Sequence, residues 1–537
     1  MKVAIVDGYV DEPSCLGVPP YIAPYPRYIY GMLKDFGVTA RYFTIDQLRE
    51  NPKLKSELKS YDLQIIIGGV AVPGKYLGGR PLEKREVFSL NFANRNFLVG
   101  PLAIELSPKE VDQLADCNIE VVPFPFEKKL HEILTRTFGS RPFDLDRFSI
   151  LGAEVVRQHP DYPHVVCEME TYRGCYWARC SFCIERFQSF WMRDARAVVA
   201  EMEALYREGV RHFRLGRQTD FFAYLADFSY DVPKPNPEAM KAFHEAIWRA
   251  CPKIRTLHLD NVNPKTVATW KEEAREIVKT IVIYQTPGNV AAMGLESADE
   301  RVVRENRLCA TPEEVLEAVR ILNEYGASPG YNGLPYFLPG LNFVIGLKGE
   351  TKRTFEENLN FVRELLEQNL LVRRINVRQV KILPGTPMEK VGYGILRRHK
   401  RFFRSFKSRI RELENEMLKR VVPKFRKLTD LRVEVEGKVS YARQLATYPL
   451  LVGLIGKFRR NEFVDARVVD YGYRSVTAVR VPLNPNKASY EELNMLLGEK
   501  AKLIVVRRPF RSFSEVKELV GSVADLIFEY SEAYDRL

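Results

Sequence analysis

The chain has 537 residues, 46% of them hydrophobic and 28% charged, the composition of a globular protein of about three or four domains. With 32 Gly and 32 Pro it is neither collagen-like nor mainly disordered, and no stretch reaches the roughly 18–20 uninterrupted apolar residues of a membrane-spanning helix. The net charge of +12 is unevenly placed: from Val391 to Leu537, 30 Lys and Arg stand against 18 Asp and Glu, so the first 390 residues balance to zero.

In chain order, residues 2–10 and 62–70 are short apolar runs that end in Asp or Gly. Between them Tyr28–Phe36 has helical spacing and Arg41–Phe43 is β-rich. This strand, helix, strand alternation predicts an α/β, doubly wound (Rossmann-like) domain over residues 1–150. Its working edge would be the loop from Gly8 to Tyr21, beyond the carboxyl end of the first strand; a scaffold without a ligand is the other reading. From 160 to 390 strands are expected at His164–Glu170, His212–Gly216, Thr256–Val262, Val290–Glu296, Leu341–Leu347 and Ile375–Leu383. Helices such as Ala195–Glu208 and Pro312–Tyr325 separate them, giving a partial (β/α)6 barrel with its chemistry at the strands' C-terminal ends. A basic helical linker follows over 391–430, then a small β-barrel of TRAM or OB type over 431–482. Residues 483–537 read as short helices in a helix-hairpin-helix-like arrangement.

The sharpest signal is the loop Gly174-Cys175-Tyr-Trp-Ala-Arg-Cys180-Ser-Phe-Cys183. Three thiolates on a loop leaving a strand suit a [4Fe–4S] cluster whose fourth iron has no protein ligand. A structural zinc would need a fourth ligand; no His lies in the loop, and Cys167 would serve only if its strand folded back. The N-terminus lacks the apolar run and cleavage site of a signal peptide, and eight Cys are too sparse for a disulfide scaffold, so the protein reads as cytoplasmic.

These residues resemble the radical S-adenosylmethionine (SAM) superfamily, and the order of domains is similar to archaeal iron–sulfur oxidoreductases with a C-terminal helix-hairpin-helix. The family usually spaces its first two cysteines by three residues, whereas Cys175 and Cys180 enclose four. Further along, Gly216-Arg217-Gln218 looks like the glycine-rich turn that holds the amino group of SAM, with Gln218 where the family has an acid. Glu296 and Ser297 close a segment like the one that contacts its ribose, and Phe182 is the aromatic residue before the third Cys. The resemblance implies metal ligation by Cys175, Cys180 and Cys183, cofactors [4Fe–4S] and SAM, an external reductant, and a 5′-deoxyadenosyl radical that abstracts hydrogen from a substrate. Asp220, Asp260, Asn261 and Asn263 are candidates to line the substrate cavity, or are helix caps and turns.

Cobalamin, often bound by N-terminal domains of this superfamily, lacks its Asp-x-His-x-x-Gly motif here, since the only His before residue 150 is His131. Of the remaining cysteines, Cys15 lies in the first loop of the N-terminal domain, where some related methylthio-transferring enzymes hold a second cluster, but the spacing of Cys117 and Cys167 matches no ligand pattern, and these three with Cys251 and Cys309 default to buried thiols. The basic stretch carries Arg397, Arg398, Lys400, Arg401, Arg404, Lys407, Arg409 and Arg411 around Phe402, Phe403 and Phe406. That interleaving suits phosphates and stacked bases, or a solvated helix whose Phe residues pack on the barrel. The expectation is a radical SAM enzyme that modifies a nucleotide in RNA, tRNA above all, by methylation or methylthiolation. The alternatives are a radical SAM enzyme acting on a small molecule, lipid or protein, and a non-enzymatic nucleic-acid-binding protein with a structural cluster.

Overall fold

The computed structural model describes residues 1–12, 15–69 and 76–528. Val70, at the end of the second apolar run, and residues 529–537 of the last domain lie outside them. The N-terminal sheet is parallel throughout, in the order β2-β1-β3-β4-β5, with β1 Val3–Asp7, β2 Ala40–Thr44, β3 Leu63–Ile67, β4 Arg95–Val99 and β5 Ile119–Val121. Every residue of β1 and β3 is buried, as strands covered on both faces must be.

The loop after β1 does not end at its own sheet. Asp11–Glu12 and Cys15–Leu16 form a small antiparallel hairpin, and Tyr21–Ile22 then adds as a parallel edge strand to the next sheet, beside Val166–Cys167. Helix α1 (Pro24–Asp35) starts with Pro at a position where no donor is lost. It packs so closely that a Cβ at Gly31 would lie 1.8 Å from the Phe148 carbonyl oxygen. Its Arg27, fully buried, donates to Glu201 Oε1 at 2.8 Å and to the Glu168 carbonyl oxygen.

The six barrel strands are β6 Val166–Glu170, β7 His212–Gly216, β8 Thr256–Leu259, β9 Asn289–Glu296, β10 Phe337–Ile345 and β11 Arg374–Gln379. They form two parallel sheets, β6 to β8 and β9 to β11, stitched by a parallel bridge between Asn261 and Ala292. Amphipathic helices alternate with them, among them α2 (Ala195–Arg207), α3 (Pro312–Gly326) and α4 (Lys352–Glu367).

The basic segment is one 28-residue helix, α5 (Gly394–Val421), stopped by Val422-Pro423. The small barrel begins at Lys427, inside the stretch expected to be linker. Its strands β12 Lys427–Val435, β13 Val439–Arg443, β14 Leu451–Ile455, β15 Phe463–Gly472 and β16 Ser475–Arg480 close in the order β12-β13-β14-β16-β15. Helices α6 (Tyr490–Leu497), α7 (Ala501–Arg507) and α8 (Phe513–Val520) follow, with left-handed turns at Gly498 and Gly521. One apolar cluster runs from Val3 to Ala478, so both α/β units and the small barrel share a core, while the last helices pack in another cluster, together with Val469 and Val479 of the small barrel. No helix among the described residues is long and apolar enough to cross a membrane.

Candidate active site

The cysteine loop leaves β6 at the C-terminal rim of the barrel. It is bracketed by Tyr172–Arg173 paired antiparallel with Trp191–Met192. Gly174 (φ +84) and Ala178 (φ +47) turn it through the left-handed region, and Ala178 lies within the four-residue spacing between Cys175 and Cys180. The loop is anchored from outside: Ser181 Oγ donates to Asn306 Oδ1 at 2.7 Å, Trp177 Nε1 to the Arg307 carbonyl at 2.7 Å, and the Met388 N–H to the Ser181 carbonyl at 3.1 Å. Cys180 and Phe182 pack against Val302, Leu308, Leu347, Val380 and Met388.

Burial pushes all three thiols up, and Cys180 is raised further by the charges of Cys183, Cys309 and Cys175. Three crowded thiols in a dry loop persist as thiolates only with a cation among them. The loop already supplies part of that environment, because the N–H groups of Ala178 and Trp177 and the Thr219 side chain lower Cys175. This donor set fits an iron–sulfur cluster. Cys167 is excluded from it: its thiol is buried in the apolar core, where its charge interacts with Arg27 and Glu201. Among the described residues no three His, Cys, Asp or Glu side chains converge on a single metal-ion position.

The second strand ends in a turn whose side chains are mostly spent. Gly216 opposes Glu170 across the sheet, and a Cβ there would lie 1.8 Å from Glu168 Oε1. Arg217, at φ +60, points back under the N-terminal hairpin, where it meets Tyr25 (3.1 Å), Glu12 (3.4 Å), Glu185 (3.4 Å) and Gln188 (2.8 Å). Gln218 donates to the Leu215 carbonyl at 3.0 Å and accepts from Thr171 Oγ1 at 3.1 Å. Ser297 Oγ accepts from the Asp299 N–H at 3.1 Å, in the turn before the next helix, which Asp299 caps through the Arg301 N–H. Of the residues matched to SAM contacts, Gln218 and Ser297 therefore shape turns with the groups expected to face the ligand.

Glu296 is different. It stands at φ +58, its Oε2 is buried without a partner, and burial raises its carboxyl to about 8 against the pull of Arg378. Its charge also bears on Cys180 and Cys183.

The lumen beneath is unusually polar, and most of its charges are paired. Arg214 binds the carboxylates of Glu168 and Asp260. Arg374, Asn376 and Arg378 alternate onto one face of β11; Arg374 donates to Asn376 Oδ1 at 2.6 Å, and Asn376 to Asn342 Oδ1 at 3.1 Å. The floor comes from the small barrel: Tyr448, at φ +50, places its ring 4.1 Å from the Arg374 guanidinium and its hydroxyl on Asp260. Asp11, from the N-terminal hairpin, is buried and raised to about 7 by that burial, opposed first by Arg378 and then Arg214. Arg378 faces both raised carboxyls, Asp11 and Glu296, and Glu296 Oε2 is a buried acceptor without a partner. The first loop, which packs on its own domain through Tyr9 and Val18, thus also serves the barrel.

Of the other polar candidates, Asp260 is the one in the lumen. Asp220 caps a turn through the N–H groups of Phe222 (3.1 Å) and Asn263 (3.0 Å). Asn263 caps the next helix through Lys265 and donates to Cys309 Sγ at 3.1 Å, while Asn261 donates to the Gln218 carbonyl at 3.2 Å. At the N-terminal sheet His131 is stacked among Phe36, Phe143 and Phe148 in the helical layer. It provides no axial ligand, so the residues present do not fit a cobalamin held by an imidazole.

On the basic helix the aromatic half of the nucleic-acid expectation fails. Phe406 packs on Phe343 and Phe355 at 6.0 and 5.6 Å, Phe402 lies on Phe355, and Phe403 packs on the main core. Arg409 is paired with Glu356, Arg411 covers the Tyr473 ring and Lys407 lies by Phe403. Arg397, Arg398, Lys400, Arg401 and Arg404 remain exposed.

A parallel half-barrel with a three-cysteine loop on its first strand defines a class, and the radical SAM superfamily profile matches residues 169–362. The chain belongs to the radical SAM superfamily of enzymes. It is 64% identical over 525 residues, 98% of either chain, to an uncharacterized protein of Archaeoglobus fulgidus. It is 41% identical over 505 residues to one of Methanocaldococcus jannaschii, covering 89% of this chain and 92% of that one. Over 203 residues, 36% of this chain and 38% of that one, it is 26% identical to the ribosomal protein uS12 methylthiotransferase RimO of Bdellovibrio bacteriovorus. The fold is similar to that of the radical SAM methyltransferase TsrM from Kitasatospora setae, with a TM-score of 0.50 and 17% identity over 72% of this chain and 76% of that one.

Proposed function

We propose that this enzyme modifies a nucleotide in structured RNA, with tRNA as the working substrate and a methyl or methylthio group as what is transferred. The observation that carries the reading is the placement of α5. Its first turn reaches the apolar cluster that holds the cysteine loop, because Leu396 packs against the same buried side chains as Cys180 and Phe182. The exposed cations Arg397, Arg398, Lys400, Arg401 and Arg404 therefore begin one residue beyond a side chain that supports the catalytic rim, where a polyanion would be presented to the chemistry. The partial likeness to a methylthiotransferase supports group transfer.

Cys175, Cys180 and Cys183 would hold the cluster, and Gly216, Glu296 and Phe182 would surround SAM. When bound, these cofactors supply reductive cleavage of SAM and hydrogen abstraction. The chain's own residues position and seal: Glu296 offers a buried acceptor, the Gly216 turn lets the backbone approach, and Tyr448 with Asp260 closes the lumen from below. A second reading, a small polar substrate, draws on that closed floor and on the buried Asp11 and the Arg378 that faces it.

Nucleoside mass spectrometry of total RNA from cells lacking the gene separates the two. The RNA reading expects a modified nucleoside to disappear. An unchanged nucleoside profile, together with RNA affinity that is indifferent to salt, would leave the small-substrate reading.

A further inference from the structure

The same rim carries a second exposed feature, made of aromatic rings. Phe187, Phe190, Trp191, Phe228 and Tyr230 are between 38% and 50% exposed, and all lie on loops that leave the C-terminal ends of β6 and β7. They are held in place. Phe190 stacks between Tyr172 and Phe228, at 5.5 and 4.7 Å, and its backbone meets Gly174 just before Cys175. Tyr230 stands edge-on to Trp270 at 5.1 Å, and Arg173 and Arg186 lie 5.9 Å from the Trp191 and Phe187 rings. Rings fixed by neighbours, and left open to water, mark a surface that receives a partner.

The row is continuous with the cationic one. Gly385, at φ +78, sits so close to Phe187 that a Cβ there would lie 3.3 Å from its ring. From Gly385 the chain runs directly into α5 and its exposed arginines. The aromatic rings thus adjoin the start of the cysteine loop at Gly174, and Phe187 adjoins the segment that leads into the cations.

We propose that this strip binds unpaired RNA, with bases stacked on Phe187, Trp191, Phe228 and Tyr230 and phosphates on the α5 cations. The proposal rests on the RNA reading above and narrows it from structured RNA to a loop or single-stranded segment. Paired bases keep their faces inside the helix and can use only the cations; unpaired bases can use both halves of the strip.

The test uses the full chain, a fluorescently labelled RNA hairpin with an unpaired loop, and the same stem as a blunt duplex, each titrated at several salt concentrations. The wild type is expected to bind the hairpin more tightly than the duplex. Trp191→Ala, Phe228→Ala and Tyr230→Ala are each expected to lower hairpin affinity roughly five- to hundredfold, with duplex affinity, salt slope and thermal midpoint unchanged. Equal affinity for hairpin and duplex, or variants that bind the hairpin like the wild type, would overturn the stacking role while leaving salt-dependent RNA binding intact. Binding of neither RNA, or binding without salt dependence, would sink the RNA reading and this one with it. Trp191 fluorescence that changes with protein concentration alone would assign the rings to a self-interface and overturn the proposal.

Discussion

The Tyr448 hydroxyl donates to Asp260 Oδ1 at 3.1 Å, joining residues 188 positions apart. Around it, the Thr447 N–H donates to His258 Nδ1 at 2.8 Å, Thr256 Oγ1 to the Leu445 carbonyl at 2.7 Å, and Tyr21 to the Ala446 carbonyl. The small barrel is therefore the floor of the catalytic barrel. Tyr448→Phe leaves Asp260 bound to Arg214 but removes one bond to a charged acceptor, and should lower unfolding stability by about 1–2 kcal/mol. Because the two barrels share a core, denaturant melts followed by two probes should give one coincident transition for wild type and variant alike. Separate transitions would show that the floor is not coupled to the barrel.

Replacing Cys175, Cys180 or Cys183 by Ala should abolish the visible iron–sulfur absorbance of anaerobically reconstituted protein and lower its iron and sulfide content. Cys167→Ala and Cys251→Ala should keep both, since those thiols are buried away from the loop in the apolar core. Iron and sulfide analysis against protein concentration checks each.

Glu296 gives the cluster-free protein a pH signature. Its ordinary value is 4.5 and burial holds it at about 8. Between those values the folded protein keeps a proton that the unfolded chain has lost, so stability should fall as pH rises from about 4.5 to about 8. Asp11, raised from 3.8 to about 7, adds a slope of the same sign. Glu296→Gln should flatten the fall and make the cluster-free protein more stable than wild type at pH 8, while weakening SAM binding to the loaded enzyme. Denaturant titrations across pH, paired with SAM equilibrium dialysis, read both. Parallel curves for wild type and variant would contradict the burial of this carboxyl.

Gly216 tests the close approach at the second strand. A methyl group there must displace the Glu168 carboxylate, which is bound to Arg214 and accepts the Arg217 N–H. Gly216→Ala should destabilise the fold by about 1–3 kcal/mol, measured by denaturant unfolding, and should weaken SAM binding. A neutral effect would mean that Glu168 moves freely.

Much of this was legible locally. The barrel strands announce themselves as short apolar runs ending in Gly, Glu or Asn, and the cysteine loop by spacing alone. For α5 the alternative expectation, a solvated helix whose Phe residues pack on the barrel, is the one that Phe402 and Phe406 follow. What escaped was long-range. Nothing around Asp11 and Glu12 reveals that Glu12 answers Arg217, 205 residues on. Nor does the run from Gln444 to Tyr448 show that it enters another barrel. At Gln218 and Ser297 the motif match named residues that sit at turns, but not that their side chains bond within those turns.

The central claim is that the loop, the lumen and Glu296 make a radical SAM enzyme. Anaerobic protein carrying its cluster, reduced with dithionite and given SAM, should release 5′-deoxyadenosine, and Cys175→Ala protein should release none. A fully loaded, reducible cluster that leaves SAM intact would contradict the account.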